Sequence, residues 1–191
     1  MFHMRKKILL LTSMLLLASC GGSSSSTKVV CATTYWDGTV GTCLPAGWNA
    51  LSREEVQARG MPAEVILAFQ AEEAVSGQYP TVTVTTEPLT QDLSARTYSQ
   101  ASADRVARRK DYTKIDLTDL TVDGQKVHLH VFSAQPVGEE PRQRFYQVAT
   151  VAKNKGYVFT GALPLTASEK TVSEVKLVLT NATFSEPKAK E

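Results

Sequence analysis

The chain has 191 residues and a nearly balanced charge, with 21 Lys and Arg against 19 Asp and Glu. Three of the basic residues lie among the first 19 positions, so the rest of the chain is close to neutral. Nucleic-acid binding depends on a basic footprint, and this composition therefore argues against a nucleic-acid partner. The length suits one domain of ordinary size, whose core needs no metal ion for its stability.

The first 19 residues have the layout of a secretory signal. The basic stretch Arg5-Lys6-Lys7 precedes the apolar run Ile8–Leu17, and the small pair Ala18-Ser19 follows it. An apolar run of this length is too short to span a membrane as a helix. The sequence therefore predicts a signal peptide over residues 1–19.

A cysteine stands directly after this small pair. The stretch Leu17-Ala18-Ser19-Cys20 resembles the bacterial lipobox, in which a lipid is joined to the cysteine thiol and the chain is cut before it. The resemblance implies that Cys20 is lipidated and that the protein is anchored to a membrane on its periplasmic or other extracytoplasmic face. Residue 21 is Gly rather than Asp. Under the sorting rule for lipobox proteins, this residue permits delivery to the outer membrane if the cell is Gram-negative.

Residues 20–28 combine the cysteine with the polar run GGSSSSTK. Such a run contains no side chain able to pack and has a root-mean-square span of about 16 Å. We therefore expect a flexible linker between the anchor and the folded body.

Cys31 and Cys43 remain when Cys20 carries lipid, and an even number of cysteines in an oxidising compartment favours a disulfide. A bridge closing a loop of this size stabilises the fold by about 3 kcal/mol in the chain-entropy model. A redox pair and a zinc pair are the alternatives, but the spacing is neither Cys-x-x-Cys nor that of a zinc ligand pair. We predict a structural cystine loop over residues 29–43, with a turn at Trp36-Asp37-Gly38.

The next segment predicts a strand, a short helix and two further strands. The strand ends at Leu51, and the capping-box pattern Ser52-x-x-Glu55 begins a helix that Gly60-Met61-Pro62 ends. The apolar run Glu64–Ala71 favours a buried strand, although Pro62 also suits a first helical turn. Thr/Val alternation predicts a half-buried strand over Thr81–Glu87.

A long helix is predicted over Asp92–Lys110. The residues expected to face the sheet are small or aromatic: Ala95, Tyr98, Ala101, Ser102 and Val106. Its last turn is rich in cations, namely Arg105, Arg108, Arg109 and Lys110, which oppose the negative end of the helix dipole. We interpret these cations as a solvated helix end, with contact to anionic headgroups as the alternative.

Two hairpins and a closing helix complete the chain. Asp123-Gly124 predicts a tight turn, and a second turn is expected at Lys153-Asn154-Lys155. The predicted strands are Tyr112–Val122, Gln125–Ser133, Arg144–Ala152 and Gly156–Leu163. The pattern Thr166-x-x-Glu169 predicts the start of a helix whose buried face carries Val172, Val175, Leu179 and Ala182, with Phe184 docking its end and a tail over residues 187–191.

This order of elements is similar to the PsbP-like α/β/α sandwich, shared by the photosystem II extrinsic protein PsbP and by DcrB-like bacterial lipoproteins. The residues that carry the similarity are Pro45-Ala46-Gly47-Trp48, the Thr81–Glu87 strand before the Asp92–Lys110 helix, Asp123-Gly124, and the Val172–Phe184 end. The resemblance covers residues 44–186 and implies an α+β domain with an antiparallel sheet of six or seven strands flanked by helices. It also implies a non-enzymatic binding or assembly-assisting domain. The lipobox and the linker, together with the absence of a catalytic motif, lead us to expect an unidentified envelope protein as its partner.

His128 and His130 form the best candidate for chemistry. Alternate residues of a strand point the same way, and a two-residue turn at Asp123-Gly124 would place Asp119 opposite His128. Two histidines and a carboxylate are a familiar metal set, so the alternative function is a metal-dependent envelope enzyme. Two histidines on the open face of a strand are more often solvated surface residues, and this is the interpretation we favour.

The sequence contains no Gly-x-Ser-x-Gly elbow and no glycine-rich phosphate loop. We therefore predict no catalytic residue, no cofactor and no metal ligand, and a lipid-anchored binding domain as the leading function.

Overall fold

The computed structural model describes residues 28–136 and 140–187. The signal peptide, Cys20 and nearly all of the linker lie outside the described residues and stay predictions. The elements, in chain order, are β1 (Thr33–Trp36), β2 (Gly41–Leu44), β3 (Trp48–Leu51), α1 (Arg53–Ala58), β4 (Val65–Ala71), β5 (Thr81–Pro88), α2 (Ala95–Ala107), β6 (Thr113–Val122), β7 (Gln125–Ala134), β8 (Gln143–Ala152), β9 (Lys155–Pro164) and α3 (Glu169–Thr180).

Seven strands form one sheet in the order β3-β4-β5-β9-β8-β7-β6, and every neighbouring pair is antiparallel. This confirms the predicted fold class and strand count. Residues directly paired across a sheet share a face, and one such row runs through Ala68, Thr83, Thr160, Gln147 and His130.

Helices cover both faces of the sheet. On the face of that row, Val56 of α1 packs against Ala68, and Ser102 of α2 donates a hydrogen bond to Gln147. The opposite face is covered by α3 together with the β1–β2 hairpin. The molecule is therefore an α/β/α sandwich.

The α3 side holds the apolar core. Its largest fully buried side chains include Phe69, Phe159, Leu163 and Leu179. The stretch expected as a cystine loop folds instead as the β1–β2 hairpin, in which Val40 is completely buried. The Tyr35 ring packs edge-on against Phe69, 5.1 Å between centroids. The hairpin thus contributes directly to the core.

Both long hairpins turn in two residues. Asp123 and Gly124 have φ values of 48° and 75°, which confirms the predicted turn. Lys153 and Asn154 make the second turn with φ values of 48° and 58°, so Lys155 already belongs to β9. The second turn is therefore one residue shorter than predicted.

The N-terminus of α1 is as predicted, whereas that of α3 differs. The capping box of Ser52 and Glu55 is confirmed at α1. The predicted Thr166-x-x-Glu169 box is wrong, because Ser168 is the N-cap of α3 and its side chain accepts from the Thr171 amide. Thr166 instead belongs to a turn in which the Ala167 amide bonds back to Pro164.

The long helix is shorter than predicted and is capped by Ser94. Ala95, Tyr98 and Ser102 are buried as expected, but Ala101 is exposed, and Ser99 and Ala103 take its place against the sheet. The segment after Pro62 is a strand, which decides between the two alternatives for Glu64–Ala71. No helix in residues 28–136 and 140–187 combines the length and apolar character needed to cross a bilayer.

Candidate functional site

The predicted disulfide is present. Cys31 and Cys43 are joined at an S–S distance of 2.08 Å, with their Cα atoms 5.4 Å apart. The bridge joins the segment that enters β1 to the buried strand β2, whose Thr42 hydroxyl donates to the Val178 carbonyl of α3. It therefore fastens the chain to the α3 side of the molecule close to the point where the linker ends.

The two histidines of β7 are buried, which corrects the expectation of solvated surface residues. His128 and His130 expose 8% and 4% of their surface. They lie beneath α2, which approaches closely because it presents the small residues Ser99 and Ser102 to the sheet. The Ser99 hydroxyl accepts a hydrogen bond from the backbone amide of His128 at 2.9 Å.

The predicted pairing of Asp119 with His128 is confirmed. The two residues are direct partners in the β6–β7 ladder, and Asp119 Oδ1 lies 2.8 Å from His128 Nδ1. Arg96 of α2 binds the other carboxylate oxygen at 3.0 Å. The hydrogen bond from Arg96 holds the pKa of Asp119 below its usual value, so this carboxylate is ionised at neutral pH.

An ionised carboxylate can only accept, so the His128 Nδ1 atom donates the hydrogen bond to Asp119. His128 lines a shallow hollow of about 490 Å³ whose other walls belong to α2: Arg96, Thr97, Gln100, Ala101 and Asp104. We call this set the α2 hollow. Apart from Ala101, the side chains that line it are polar and carry both charge signs, and the hollow is open to solvent on one side.

His130 occupies a separate environment. Its Nε2 lies 2.9 Å from the Tyr112 hydroxyl, and its ring is 4.8 Å from that of Phe132. The Nδ1 atom is buried, and no side chain or backbone group in the described part of the chain forms a hydrogen bond with it. Burial lowers the pKa of the His130 imidazole and the Lys114 ammonium lowers it further, whereas Gln147 acts in the opposite direction.

The two histidines do not converge on one ligand. His128 is oriented by Asp119 and His130 by Tyr112. In the part of the chain that the structure describes, no group of three or more His, Cys, Asp or Glu side chains is placed to hold a metal ion. The geometry therefore gives no support to the metal-dependent enzyme considered from the sequence.

A second, smaller cavity lies at the start of α3 and was not predicted. Glu174 lines it, accepting from Trp48 Nε1 at 3.3 Å and pairing with Lys170 at 3.5 Å. The volume is about 160 Å³, and Glu72 and Glu73 contribute to the wall. The only sequence signal was the i,i+4 spacing of Lys170 and Glu174, which by itself is typical of a solvated helix face.

No family model and no curated protein matches the chain. Solved structures do match. LpqN of Mycobacterium tuberculosis is 12% identical with a TM-score of 0.56, over 79% of this chain and 88% of LpqN. CyanoP, the cyanobacterial PsbP of Synechocystis sp. PCC 6803, is 16% identical with a TM-score of 0.54, over 88% of this chain and 99% of CyanoP.

Similarity at these identities establishes the fold alone. The chain is a mixed α+β protein with a PsbP-like fold, as its order of elements predicted.

Proposed function

We propose that this protein is a bacterial envelope lipoprotein, anchored through Cys20 on the extracytoplasmic side of a membrane, whose domain binds another envelope component without catalysis. The observation that carries the proposal is the Cys31–Cys43 disulfide, eleven residues after a cysteine in a lipobox-like setting. Disulfides persist in oxidising compartments outside the cytoplasm. The fold supports the proposal, because LpqN is described as involved in cell envelope biogenesis.

The α2 hollow supports binding rather than catalysis. Within the described residues, the only side chain bonded to the His128 ring is the Asp119 carboxylate, so no hydroxyl or thiol nucleophile is placed for activation. The mixed charges of Arg96 and Asp104 suit the polar rim of a protein interface. We infer that the partner is an envelope protein docking over this hollow.

The anchor is tested by metabolic labelling with an alkyne analogue of palmitate, followed by membrane fractionation. We expect label and membrane association in the unchanged protein and loss of both in Cys20→Ala. The double variant Cys31→Ala with Cys43→Ala is the matched control and keeps the label. An unlabelled native protein that still carries Met1 would overturn the anchor.

The binding surface is tested by placing a photo-crosslinking amino acid at Ala101, which is exposed in the α2 hollow. Ser173 of α3 is exposed on the opposite face and serves as the control position. We expect one crosslinked envelope protein from position 101 and none from position 173. Equal crosslinking at both positions would contradict the assignment of the hollow as the docking surface.

A further inference from the structure

Two arginines at the beginning of β8 have no carboxylate partner among the residues that the structure describes. Arg142 donates four hydrogen bonds, all to neutral oxygens: the Asp111 carbonyl at 2.7 Å, the Thr113 hydroxyl at 2.6 Å, and the Ser133 hydroxyl and carbonyl at 3.1 and 3.2 Å. Four neutral acceptors position the guanidinium without neutralising its charge. The position of this cation is therefore fixed by the fold.

Arg144 is less satisfied still. Its Nε is buried and has no hydrogen-bond partner among the described residues. Across residues 28–136 and 140–187, neither Arg144 nor Arg142 takes part in an ion pair with Asp or Glu. A partly buried cation without a counter-ion is costly unless an anion from outside approaches it.

Both arginines and a third cation lie on the α3 side of the sheet. Arg142 donates to the hydroxyl of Ser133, which is the direct strand partner of Arg144 and therefore shares its face. Arg144 pairs with the buried Leu163, and Tyr146 stands two residues further along β8, so both side chains point to the α3 face. Lys176 of α3 holds its ammonium 5.7 Å from the centre of the Tyr146 ring. We call Arg142, Arg144 and Lys176 the cation row.

The linker reaches the domain on this same face. The β1–β2 hairpin lies over Phe69 of β4, and α3 lies over β9, where Val175 packs against Gly161. Arg144 is on β8, three strands from β4, a separation of about 14 Å at ordinary strand spacing. With the root-mean-square span of about 16 Å that the sequence predicts for the linker, an anchored chain would hold the cation row close to the bilayer.

The cations at the end of α2 lie on the opposite face and are in part neutralised. Arg105 pairs with Glu87 at 3.2 Å, and Arg109 pairs with Asp111 at 3.2 Å. Arg108 and Lys110 are exposed there. The cation row therefore differs from the end of α2 in two respects. Its arginines have no ion-pair partner among the described residues, and it lies on the face at which the linker arrives.

We propose that the cation row binds the phosphate groups of anionic phospholipids and so turns the α3 face toward the membrane. The inference rests on the proposed anchor at Cys20. It leaves the α2 hollow, on the other face of the sandwich, directed away from the bilayer and accessible to a partner. The row is a second membrane contact that gives the loosely tethered domain a preferred orientation.

The test uses the chain from residue 20 onward with Cys20→Ser, because every strand, helix and core residue of the described fold lies beyond residue 28. This chain has no lipid, so its binding to vesicles reports on the row alone, whereas failure of the anchor would appear only in the labelling experiment. We measure sedimentation with phosphatidylcholine vesicles that contain phosphatidylglycerol and with vesicles of phosphatidylcholine alone. We expect binding only to the anionic vesicles.

The double variant Arg144→Gln with Lys176→Gln is expected to weaken this binding by about fivefold for each cation removed. Arg108→Gln with Lys110→Gln removes the same charge from the other face and is expected to leave binding unchanged. Lys176→Gln alone, at an exposed position, gives a readout even when the Arg144 change impairs folding. Equal binding to both kinds of vesicle, or equal weakening by the control pair, would overturn the proposal.

A competition experiment with inorganic phosphate at matched ionic strength distinguishes a lipid headgroup from dissolved phosphate as the anion that the row binds. Vesicle binding that persists in its presence supports the membrane contact. Complete displacement by free phosphate, with chloride ineffective, would identify the row as a site for the dissolved ion and overturn the proposed orientation.

Discussion

Asp119 and His128 face each other across β6 and β7, and the carboxylate and imidazole meet at 2.8 Å. The pair forms because the two-residue turn at Asp123-Gly124 sets the register of the hairpin. Arg96 then joins the pair from α2, so a local hairpin contact becomes a link between the sheet and a helix.

The first prediction concerns the proton on the His128 ring. In the unchanged protein at mildly alkaline pH, we expect the tautomer with hydrogen on Nδ1, since Asp119 only accepts. In Asp119→Asn the amide can accept or donate, so a mixture of tautomers is expected. Nitrogen chemical shifts of the ring measure the two forms. Asp116→Asn, a change on the same strand, should leave them unaltered, and an unmixed ring in Asp119→Asn would contradict the contact.

The second prediction concerns the closest approach of α3 to the sheet. A Cβ built on Gly161 would overlap Cγ1 of Val175. We expect Gly161→Ala to lower the free energy of unfolding by about 1–3 kcal/mol through overpacking. In a Val175→Ala background the overlap is gone, so the same change should cost much less. Urea unfolding of the unchanged protein, the two single variants and the double variant completes a double-mutant cycle. Additive losses of unfolding free energy would show that the two residues do not compete for space.

The third prediction concerns acid. Burial holds the pKa of His130 below its ordinary value near 6.5, so the unfolded chain takes up a proton at a higher pH than the folded one. The contribution of His130 to the free energy of unfolding should therefore be constant above that value and fall as the pH drops below it. His130→Asn should remove this contribution to the pH dependence of stability. Urea midpoints compared at neutral pH and at pH values below 6.5 would detect the difference, and identical slopes would contradict it.

The fourth prediction concerns the disulfide. Replacing Cys31 and Cys43 with Ala should lower the free energy of unfolding by about 2–4 kcal/mol, as the unfolded chain gains freedom. The hairpin should also loosen from the segment that follows α3, which hydrogen exchange at the Gly41 and Thr183 amides would report. Cys20→Ser should leave both measurements unchanged. A reducing agent that has no effect on the unchanged protein would contradict a structural role.

Much of the architecture could be predicted from local patterns. The Asp123-Gly124 turn, the Ser52–Glu55 cap and the alternation of Thr81–Glu87 each depend on residues a few positions apart. Where several local signals competed, prediction was less reliable. Thr166 and Ser168 are both acceptable N-caps, and the turn back to Pro164 selected Ser168.

The environment of the histidines could not be predicted in the same way. Strand alternation places His128 and His130 on one side of β7, but burial depends on whether a helix covers that side. The α2 helix does so because Ser99 and Ser102 are small enough for close approach and able to bond to polar groups in the sheet. No spacing along the chain contains that information.

The amino-acid sequence by itself determined the order of strands and helices, the tight turns and the pairing of Asp119 with His128, because these follow from interactions within one hairpin or one helical turn. Only the tertiary structure decided that the histidines are buried, that the cystine segment belongs to the core, and that Arg142 and Arg144 have no Asp or Glu counter-ion within residues 28–136 and 140–187. Those properties arise from contacts between residues far apart in the chain, whose distances are set by how the layers pack.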